Sequence, residues 1–125
     1  MKKSLNILIV EDEALTSLYL KMELTNWGHN ILNVCASGEE ALSIIKTNKP
    51  DLILMDINLA GKLDGIETAN EVLKIKNIPI IFVTGYSEKK VVDNANLINP
   101  LAYFVKPIVI DELKKCKKLY KSAIK

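Results

Sequence analysis

Short apolar runs alternate with longer amphipathic stretches along the chain. Five such runs occupy residues 5–10, 30–35, 52–55, 80–83 and 101–105. Runs of this length are typical of strands that are buried on both faces of a sheet. The stretches between them have helical spacing, and strands separated in this way form a parallel sheet through right-handed crossovers. The pattern therefore predicts an α/β fold with a doubly wound (βα)5 parallel five-stranded sheet.

The first amphipathic stretch predicts a helix over residues 13–27, which Gly28 ends. Leu15, Leu18 and Met22 are three or four residues apart, so they share one face of this helix. Such spacing is typical of the apolar face of an amphipathic helix.

Side chains that can cap a helix mark three further helix starts. Ser37 and Glu40 form a capping-box pattern, in which the hydroxyl accepts a free helix N–H while the carboxylate reaches back. Asp64 starts the third helix and Ser87 the fourth. The last helix is predicted over residues 110–123. The residues spaced for one face of it are Leu113, Cys116, Tyr120 and Ile124.

Candidate residues for chemistry follow four of the predicted strands. In an open parallel sheet, ligands bind outside the carboxyl ends of the strands. The residues there are Glu11 and Asp12 after the first strand, Asp56 and Asn58 after the third, Thr84 and Gly85 after the fourth, and Lys106 after the fifth.

Three of these residues are carboxylates. If the first and third strands are neighbours, Glu11, Asp12 and Asp56 converge on one pocket. Two unit charges about 4 Å apart repel by roughly 4 kcal/mol at an effective dielectric constant of about 20. Either one carboxyl group keeps its proton or a divalent cation neutralises the cluster. The ligands available there are oxygens, and hard oxygen ligands completed by water suit Mg²⁺.

An ammonium group and a hydroxyl complete the predicted pocket. Lys106 faces it from the far side, and Thr84 adds a hydroxyl beside a backbone N–H donor. A cation, an ammonium group and a hydroxyl around one carboxylate form a site for a phosphoryl group. Asp56 is then the nucleophile that attacks a phosphoryl donor and becomes an acyl phosphate.

The ordered set of motifs resembles the receiver domain of two-component response regulators. The similarity covers the whole chain, and all five strand ends match. The motifs are Val10-Glu11-Asp12, Pro50-Asp51-Leu52-Ile53-Leu54-Met55-Asp56, Asp64-Gly65, Pro79-Ile80-Ile81, Val83-Thr84-Gly85 and Tyr103-Phe104-Val105-Lys106-Pro107. The resemblance implies a flavodoxin-like three-layer sandwich with strand order 2-1-3-4-5.

The resemblance also implies a role for each residue at the strand ends. Asp56 is expected to accept a phosphoryl group from a sensor histidine kinase or a phosphotransfer protein. The expected ligands of Mg²⁺ are Glu11, Asp12, Asp56 and the backbone carbonyl of Asn58. Thr84 is expected to bond to the phosphoryl oxygen, and Lys106 to pair with it.

A conformational switch belongs to the same resemblance. Tyr103 matches the switch aromatic of the family, which turns inward when Thr84 moves. The surface of helix 4, strand 5 and helix 5 would change with it, for a downstream effector protein or a homodimer. In that family the peptide bond between Lys106 and Pro107 is cis, a form that costs about 0.5–1 kcal/mol before proline.

Some positions depart from the commonest family pattern, and one of them argues against alternative functions. The loop between Asp56 and Asp64 is one residue longer, and Ala60 stands where a proline is frequent. A bulky Tyr86 could obstruct the water that hydrolyses the aspartyl phosphate, which favours a long-lived phosphoryl state. Asn58 cannot titrate, so it argues against a hydrolase of the haloacid-dehalogenase type, and it replaces the histidine of a cobalamin-binding domain.

Composition narrows the class of protein further. The chain has 125 residues, with 17 Lys+Arg against 15 Asp+Glu and a formal net charge of +2. All the basic residues are lysines, which argues against a nucleic-acid partner. No apolar stretch approaches the roughly 20 residues of a membrane span. Cys35 and Cys116 are read as reduced thiols of a cytoplasmic protein.

The domain organisation expected from the sequence is simple. Residues 1–125 are predicted to form a single receiver domain without an output domain, similar to the stand-alone chemotaxis regulators. A relay intermediate and a receiver from a hybrid kinase are the alternatives.

Overall fold

The computed structural model describes residues 4–116, in which strands and helices alternate. The strands are β1 (Asn6–Val10), β2 (Asn30–Cys35), β3 (Leu52–Met55), β4 (Ile80–Thr84) and β5 (Ala102–Val105). The helices are α1 (Ala14–Asn26), α2 (Gly38–Thr47), α3 (Gly65–Ile75), α4 (Lys89–Asn96) and α5 (Ile110–Lys114). Each strand lies within one residue of its predicted bounds, because short apolar runs between breakers are strong strand signals.

The five strands form one parallel sheet in the order β2-β1-β3-β4-β5. Val10 at the end of β1 pairs with Met55 at the end of β3, and Met55 pairs with Phe82 near the end of β4. The carboxyl ends of neighbouring strands therefore meet at one edge of the sheet. The predicted α/β fold, doubly wound and flavodoxin-like with strand order 2-1-3-4-5, is confirmed.

Successive residues of each strand point to opposite faces of the sheet and build two separate cores. The first core packs α2, α3 and α4 on one face, and the strand residues in it are Leu8, Val10, Cys35, Ile53, Met55, Ile80 and Phe82. The second packs α1 and α5 on the other face, and the strand residues in it are Ile7, Ile9, Leu52, Leu54, Ile81 and Val83. Because helices cover both faces, the central strands are apolar throughout.

The apolar face predicted for α1 is exposed to solvent. The side chains of Leu15, Leu18 and Met22 are 83%, 53% and 57% exposed, whereas Leu20 and Leu24 are buried. Apolar residues stand on both sides of this helix, so periodicity alone could not tell which side packs against the sheet. The exposed face is available to another molecule.

Two helix starts differ in detail from their predictions. At α2, Ser37 Oγ accepts the backbone N–H of Glu40 as predicted, but the Glu40 carboxylate accepts the Ser37 hydroxyl. At α4, the N-cap is Glu88 instead of Ser87, because the backbone carbonyl of Glu88 accepts the N–H of Val92. The predicted cap at Asp64 is confirmed and forms a full capping box with Glu67.

The last helix begins at Ile110 as predicted, and Leu113 is buried on its expected face. The helix ends at Lys114, and residues 115 and 116, which were predicted to be helical, are not; Tyr120 and Ile124 lie outside the described residues. The peptide bond between Lys106 and Pro107 is cis, as the family resemblance implied. Within residues 4–116, none of the helices has the length and apolar character needed to cross a membrane.

Candidate functional site

A cavity of about 510 Å³ opens at the carboxyl edge of the sheet. The residues that line it are Asp12, Glu13, Asp56, Asn58, Gly85, Tyr86, Glu88 and Lys106. They come from the ends of β1, β3, β4 and β5, which is the edge where the sequence places the chemistry.

The pairing of β1 with β3 brings the predicted carboxylates together. The backbone N–H of Asp56 donates to the carbonyl of Val10 (2.9 Å), so Asp56 lies next to the end of β1. One oxygen each of Glu11, Asp12 and Asp56 lies within 4.8 Å of the others. Glu11 and Asp56 are only 4% exposed, whereas Asp12 is open to solvent.

The ammonium group of Lys106 lies among these carboxylates. Its Nζ donates to Asp56 Oδ2 (3.0 Å), is 2.8 Å from Glu11 Oε1, and also bonds to the Glu13 carboxylate. The backbone N–H of Lys106 donates to the carbonyl of Thr84 (2.8 Å), which fixes the end of β5 beside β4. The ammonium group therefore offsets part of the repulsion that the sequence predicted for this pocket.

The protonation of the pocket follows from burial and from these contacts. Burial raises the pKa of Glu11 to about 7, although its bond to Lys106 opposes the shift. Burial alone would lower the pKa of Lys106, but hydrogen bonds to Glu11, Glu13 and Asp56 outweigh it and raise that pKa. Lys106 is therefore charged at neutral pH, whereas Glu11 is partly protonated near pH 7.

Glu13 is a member of the site that the sequence analysis did not single out. Its backbone N–H donates to Glu11 Oε2 (3.0 Å), and its carboxylate bonds to Lys106, which lowers the pKa of Glu13. The run Glu11-Asp12-Glu13 was a signal for it. In the sequence it stands only as the first residue of the first predicted helix; in the structure it is the N-cap of α1, without a side-chain capping hydrogen bond.

Thr84 and Tyr103 both contact Tyr86, a residue that lines the cavity. Thr84 is fully buried, and its Oγ1 accepts the backbone N–H of Tyr86 at 3.5 Å. The Tyr103 hydroxyl donates to the Tyr86 carbonyl (2.7 Å), and its ring centroid is 6.0 Å from that of Phe82. The two predicted switch residues are therefore joined through the segment that follows β4.

The backbone around Asp56 is packed against the start of α3. A Cβ atom added at Gly65 would lie 2.0 Å from the Asp56 carbonyl oxygen, so only glycine allows this approach. The N–H of Gly65 donates to the carbonyl of Ile57 (2.8 Å), and the N–H of Asn58 donates to Asp56 Oδ1 (3.3 Å). Asp56 is thus fixed on both its backbone and its side chain.

Comparisons with known proteins agree with this arrangement. The sequence model of the response regulator receiver domain matches residues 7–117. The transcriptional regulatory protein PdtaR of Mycobacterium tuberculosis is 36% identical over 107 residues, which are 86% of this chain and 52% of PdtaR. The sporulation initiation phosphotransferase F of Bacillus subtilis is 33% identical over 91% of each chain. The chain thus spans about half of PdtaR and nearly all of the phosphotransferase.

Solved structures give the same result. The signal receiver domain of a modulated diguanylate cyclase from Desulfovibrio desulfuricans G20 is 35% identical, with a TM-score of 0.87 over 97% of this chain and 98% of that one. A chain of the CheX–CheY–BeF3–Mg complex from Borrelia burgdorferi is 28% identical, with a TM-score of 0.81 over 90% and 85%. Since the family match starts in β1 and passes every strand end that builds the acidic pocket, the chain belongs to the response regulator receiver domain family of two-component signalling.

Proposed function

We propose that Asp56 is the phosphoacceptor of this receiver domain and that Mg²⁺ bound beside it supports transfer from a phosphohistidine. One observation carries the proposal: the Asp56 carboxylate is 4% exposed, paired with Lys106 at 3.0 Å, and faces a cavity of about 510 Å³. A buried carboxylate with a counter-ion and an open approach is suited to act as a nucleophile.

The transfer is a displacement at phosphorus. A carboxylate oxygen of Asp56 attacks the phosphorus atom, and the bond from phosphorus to the imidazole nitrogen of the donor breaks. The imidazole leaves with the bonding electron pair and takes up a proton, and Asp56 becomes an acyl phosphate. Lys106, already bonded to Asp56, can donate to a phosphoryl oxygen after the transfer.

The donor set fits a hard divalent cation. Glu11, Asp12 and Asp56 each offer an oxygen within 4.8 Å of the others, and the Asn58 carbonyl is the proposed fourth ligand. When bound, Mg²⁺ would offset the negative charge of the phosphoryl oxygens. The same cation would also neutralise the carboxylates that Lys106 now neutralises only in part.

Thr84 and Tyr103 are proposed to report the phosphorylated state. The Thr84 hydroxyl is an acceptor in its contact with Tyr86, so it keeps its own proton for a phosphoryl oxygen. Tyr103 is bonded to the Tyr86 carbonyl, so a shift of the intervening segment reaches β5. We propose that the surface of α4, β5 and α5 then binds a downstream effector protein or a second copy of the chain.

The exposed apolar residues next to the pocket support a protein as the phosphoryl donor. A second cavity of about 510 Å³ includes Leu15, Pro107 and Val109 and shares Glu13 and Lys106 with the first. Leu15 is 83% and Val109 54% exposed. We propose that a sensor histidine kinase or a phosphotransfer protein packs on these residues, in the cytoplasm, while its histidine reaches Asp56.

Two relatives support the chemistry by their own properties. One is named a phosphotransferase, and another was solved with BeF3, a phosphoryl mimic, and Mg. Nothing in the comparisons supports a haloacid-dehalogenase-type hydrolase, and Asn58 lacks the titratable group that such a reaction needs. We propose that residues 1–125 act as a single receiver domain.

The test is phosphorylation by a small donor. With Mg²⁺ and acetyl phosphate, we expect intact-mass spectrometry to detect one added phosphoryl group on the wild-type chain and none on Asp56→Asn. Asp93→Asn is the matched control, because Asp93 is an exposed α4 residue paired with Lys89, and it should behave as wild type. An added phosphoryl group on Asp56→Asn would reject Asp56 as the acceptor.

A further inference from the structure

The segment of residues 58–64, here called the β3–α3 loop, joins Asp56 to α3, and its first half is attached at two places. Near its start, Asn58 N–H donates to Asp56 Oδ1 (3.3 Å). Farther along, Ala60 pairs with Ser37 in a parallel bridge outside the main sheet. The loop therefore contacts the segment just before α2. Helix α2 itself does not line the pocket.

A side chain of α2, that of Glu39, also bonds to the loop. Glu39 lies in the first turn of α2, and its Oε2 accepts the backbone N–H of Lys62 at 3.0 Å. This bond lowers the pKa of Glu39. A Cβ atom at Gly61 would lie 2.6 Å from Glu39 Oε1, and Gly61 has a φ of +90°. The Glu39 carboxylate thus lies against the backbone of Gly61, where a larger residue would collide with it.

We infer that Glu39 is a positioning residue for the metal site: from α2 it fixes the β3–α3 loop in the path that presents the Asn58 carbonyl beside Asp56. The inference rests on the proposed function. A carbonyl ligand contributes to binding only if its backbone is already in place, and residues that orient ligands contribute strongly to metal affinity. Leu59, the residue after Asn58, packs against the core, and Glu39 holds the loop three residues farther along, so the two contacts together fix the path of the loop.

The first test measures Mg²⁺ affinity of the full chain by calorimetry. We expect Glu39→Ala to weaken binding by about tenfold, the lower end of what loss of an orienting contact costs. Glu39→Gln should restore most of the affinity, because its amide oxygen can accept the Lys62 N–H. Glu40→Ala removes the same charge from the same helix turn, where Glu40 contacts Ser37, and should change the affinity less than twofold.

The second test needs no metal. Hydrogen exchange of the Lys62 amide should be faster in Glu39→Ala than in wild type and close to wild type in Glu39→Gln. Gly61→Ala, whose methyl group would displace the Glu39 carboxylate, should speed the same exchange. A Mg²⁺ affinity of Glu39→Ala equal to that of Glu40→Ala would overturn the inference even if the Lys62 amide exchanged faster, and so would a Lys62 amide that exchanges at the same rate in both variants. A wild-type chain that does not bind Mg²⁺ would instead overturn the proposed function, whatever the Lys62 amide shows.

Discussion

Glu11 is the residue whose protonation sets the pH dependence of the pocket. Its pKa is about 7 in the folded chain against an ordinary value of 4.5, because it is buried. Mg²⁺ requires the ionised carboxylate, so binding below that pKa releases a proton. We therefore expect Mg²⁺ affinity to rise about tenfold per pH unit up to about pH 7 and to level off above it. Calorimetry at a series of pH values on both sides of pH 7 measures this affinity.

The raised pKa of Glu11 also makes the stability of the metal-free chain depend on pH, in the direction opposite to that of the Mg²⁺ affinity. Between pH 4.5 and about 7 the unfolded chain has lost the Glu11 proton while the folded chain still carries it. The free energy of unfolding should therefore fall as pH rises through this window. Glu11→Gln should flatten both profiles, and a wild-type Mg²⁺ affinity that does not change between pH 5 and 7 would contradict the assignment.

Which residues form the pocket could be predicted because they follow strands. Glu11, Asp56 and Lys106 each stand directly after an apolar run, Asp12 follows Glu11, and parallel strands end at one edge. Glu39 could not be predicted in this way, since it lies inside a helix turn. Its link to Lys62 spans 23 residues and depends on how α2 and a loop happen to approach each other.

At the scale of elements, the contact between β3 and α3 depends on Gly65. A methyl group there would meet the Asp56 carbonyl at 2.0 Å, so α3 or the backbone at Asp56 must move. We expect Gly65→Ala to lower the free energy of unfolding by about 2–4 kcal/mol, in the range of severe overpacking. Urea denaturation measures the difference.

Gly85→Ala is the matched control for this contact. A Cβ atom at Gly85 meets nothing within 4 Å, so the same change should alter the free energy of unfolding by less than about 0.5 kcal/mol. If the two variants were equally stable, the close approach of α3 to Asp56 would not be a real constraint.

The exposed face of α1 gives a second prediction at this scale. Replacing Leu15 by serine should leave stability nearly unchanged, because the side chain is 83% exposed. Phosphotransfer from a phosphorylated histidine protein should fall about tenfold, as for a truncated contact residue, while acetyl phosphate should react as before. Radiolabel transfer and intact mass measure the two reactions.

Leu97→Ser controls for the loss of an exposed leucine. Leu97 is 81% exposed at the end of α4 and does not line either of the two cavities beside Lys106. Its transfer rate should equal that of wild type. A Leu15→Ser variant that accepts phosphoryl groups from the protein donor at the wild-type rate would remove α1 from the proposed docking surface.

The elements themselves were predictable, but their orientation was not. Runs such as Leu52–Met55 are apolar throughout and are bounded by Pro50 and Asp56, and this pattern predicts a buried strand. In α1, apolar residues occur on both sides, and the side that packs is decided by partners far away in sequence. The Tyr19 hydroxyl, for example, accepts the N–H of Ile110 (2.9 Å) and places α1 against α5.

At the scale of the whole molecule, the acidic pocket occupies one edge of the sheet, at the carboxyl ends of the strands. At the other edge, Leu5 N–H donates to His29 Nδ1 (3.0 Å), and the Trp27 and His29 rings are 4.7 Å apart. Under the proposed function, a signal that starts at Asp56 would pass along the pocket edge toward β5.

Tyr103 is the contact through which that signal would reach β5. Its hydroxyl holds the Tyr86 carbonyl at 2.7 Å, and Tyr86 N–H donates to Thr84 Oγ1. Tyr103→Phe removes the hydrogen bond but keeps the ring beside Phe82. With Mg²⁺ and beryllofluoride, we expect amide chemical shifts at residues 84–88 to change in both proteins, and those at residues 102–105 to change less in the variant.

Tyr19→Phe is the matched control for that experiment, since it also removes a tyrosine hydroxyl bonded to backbone, but between α1 and α5. It should leave the response at residues 102–105 at its wild-type size. Acetyl phosphate should modify all three proteins at similar rates, because neither hydroxyl touches Asp56. A full response of β5 in Tyr103→Phe would overturn the role of the Tyr103 hydroxyl and assign the coupling to the backbone pairing of β4 with β5, which includes the bond from Lys106 N–H to the Thr84 carbonyl.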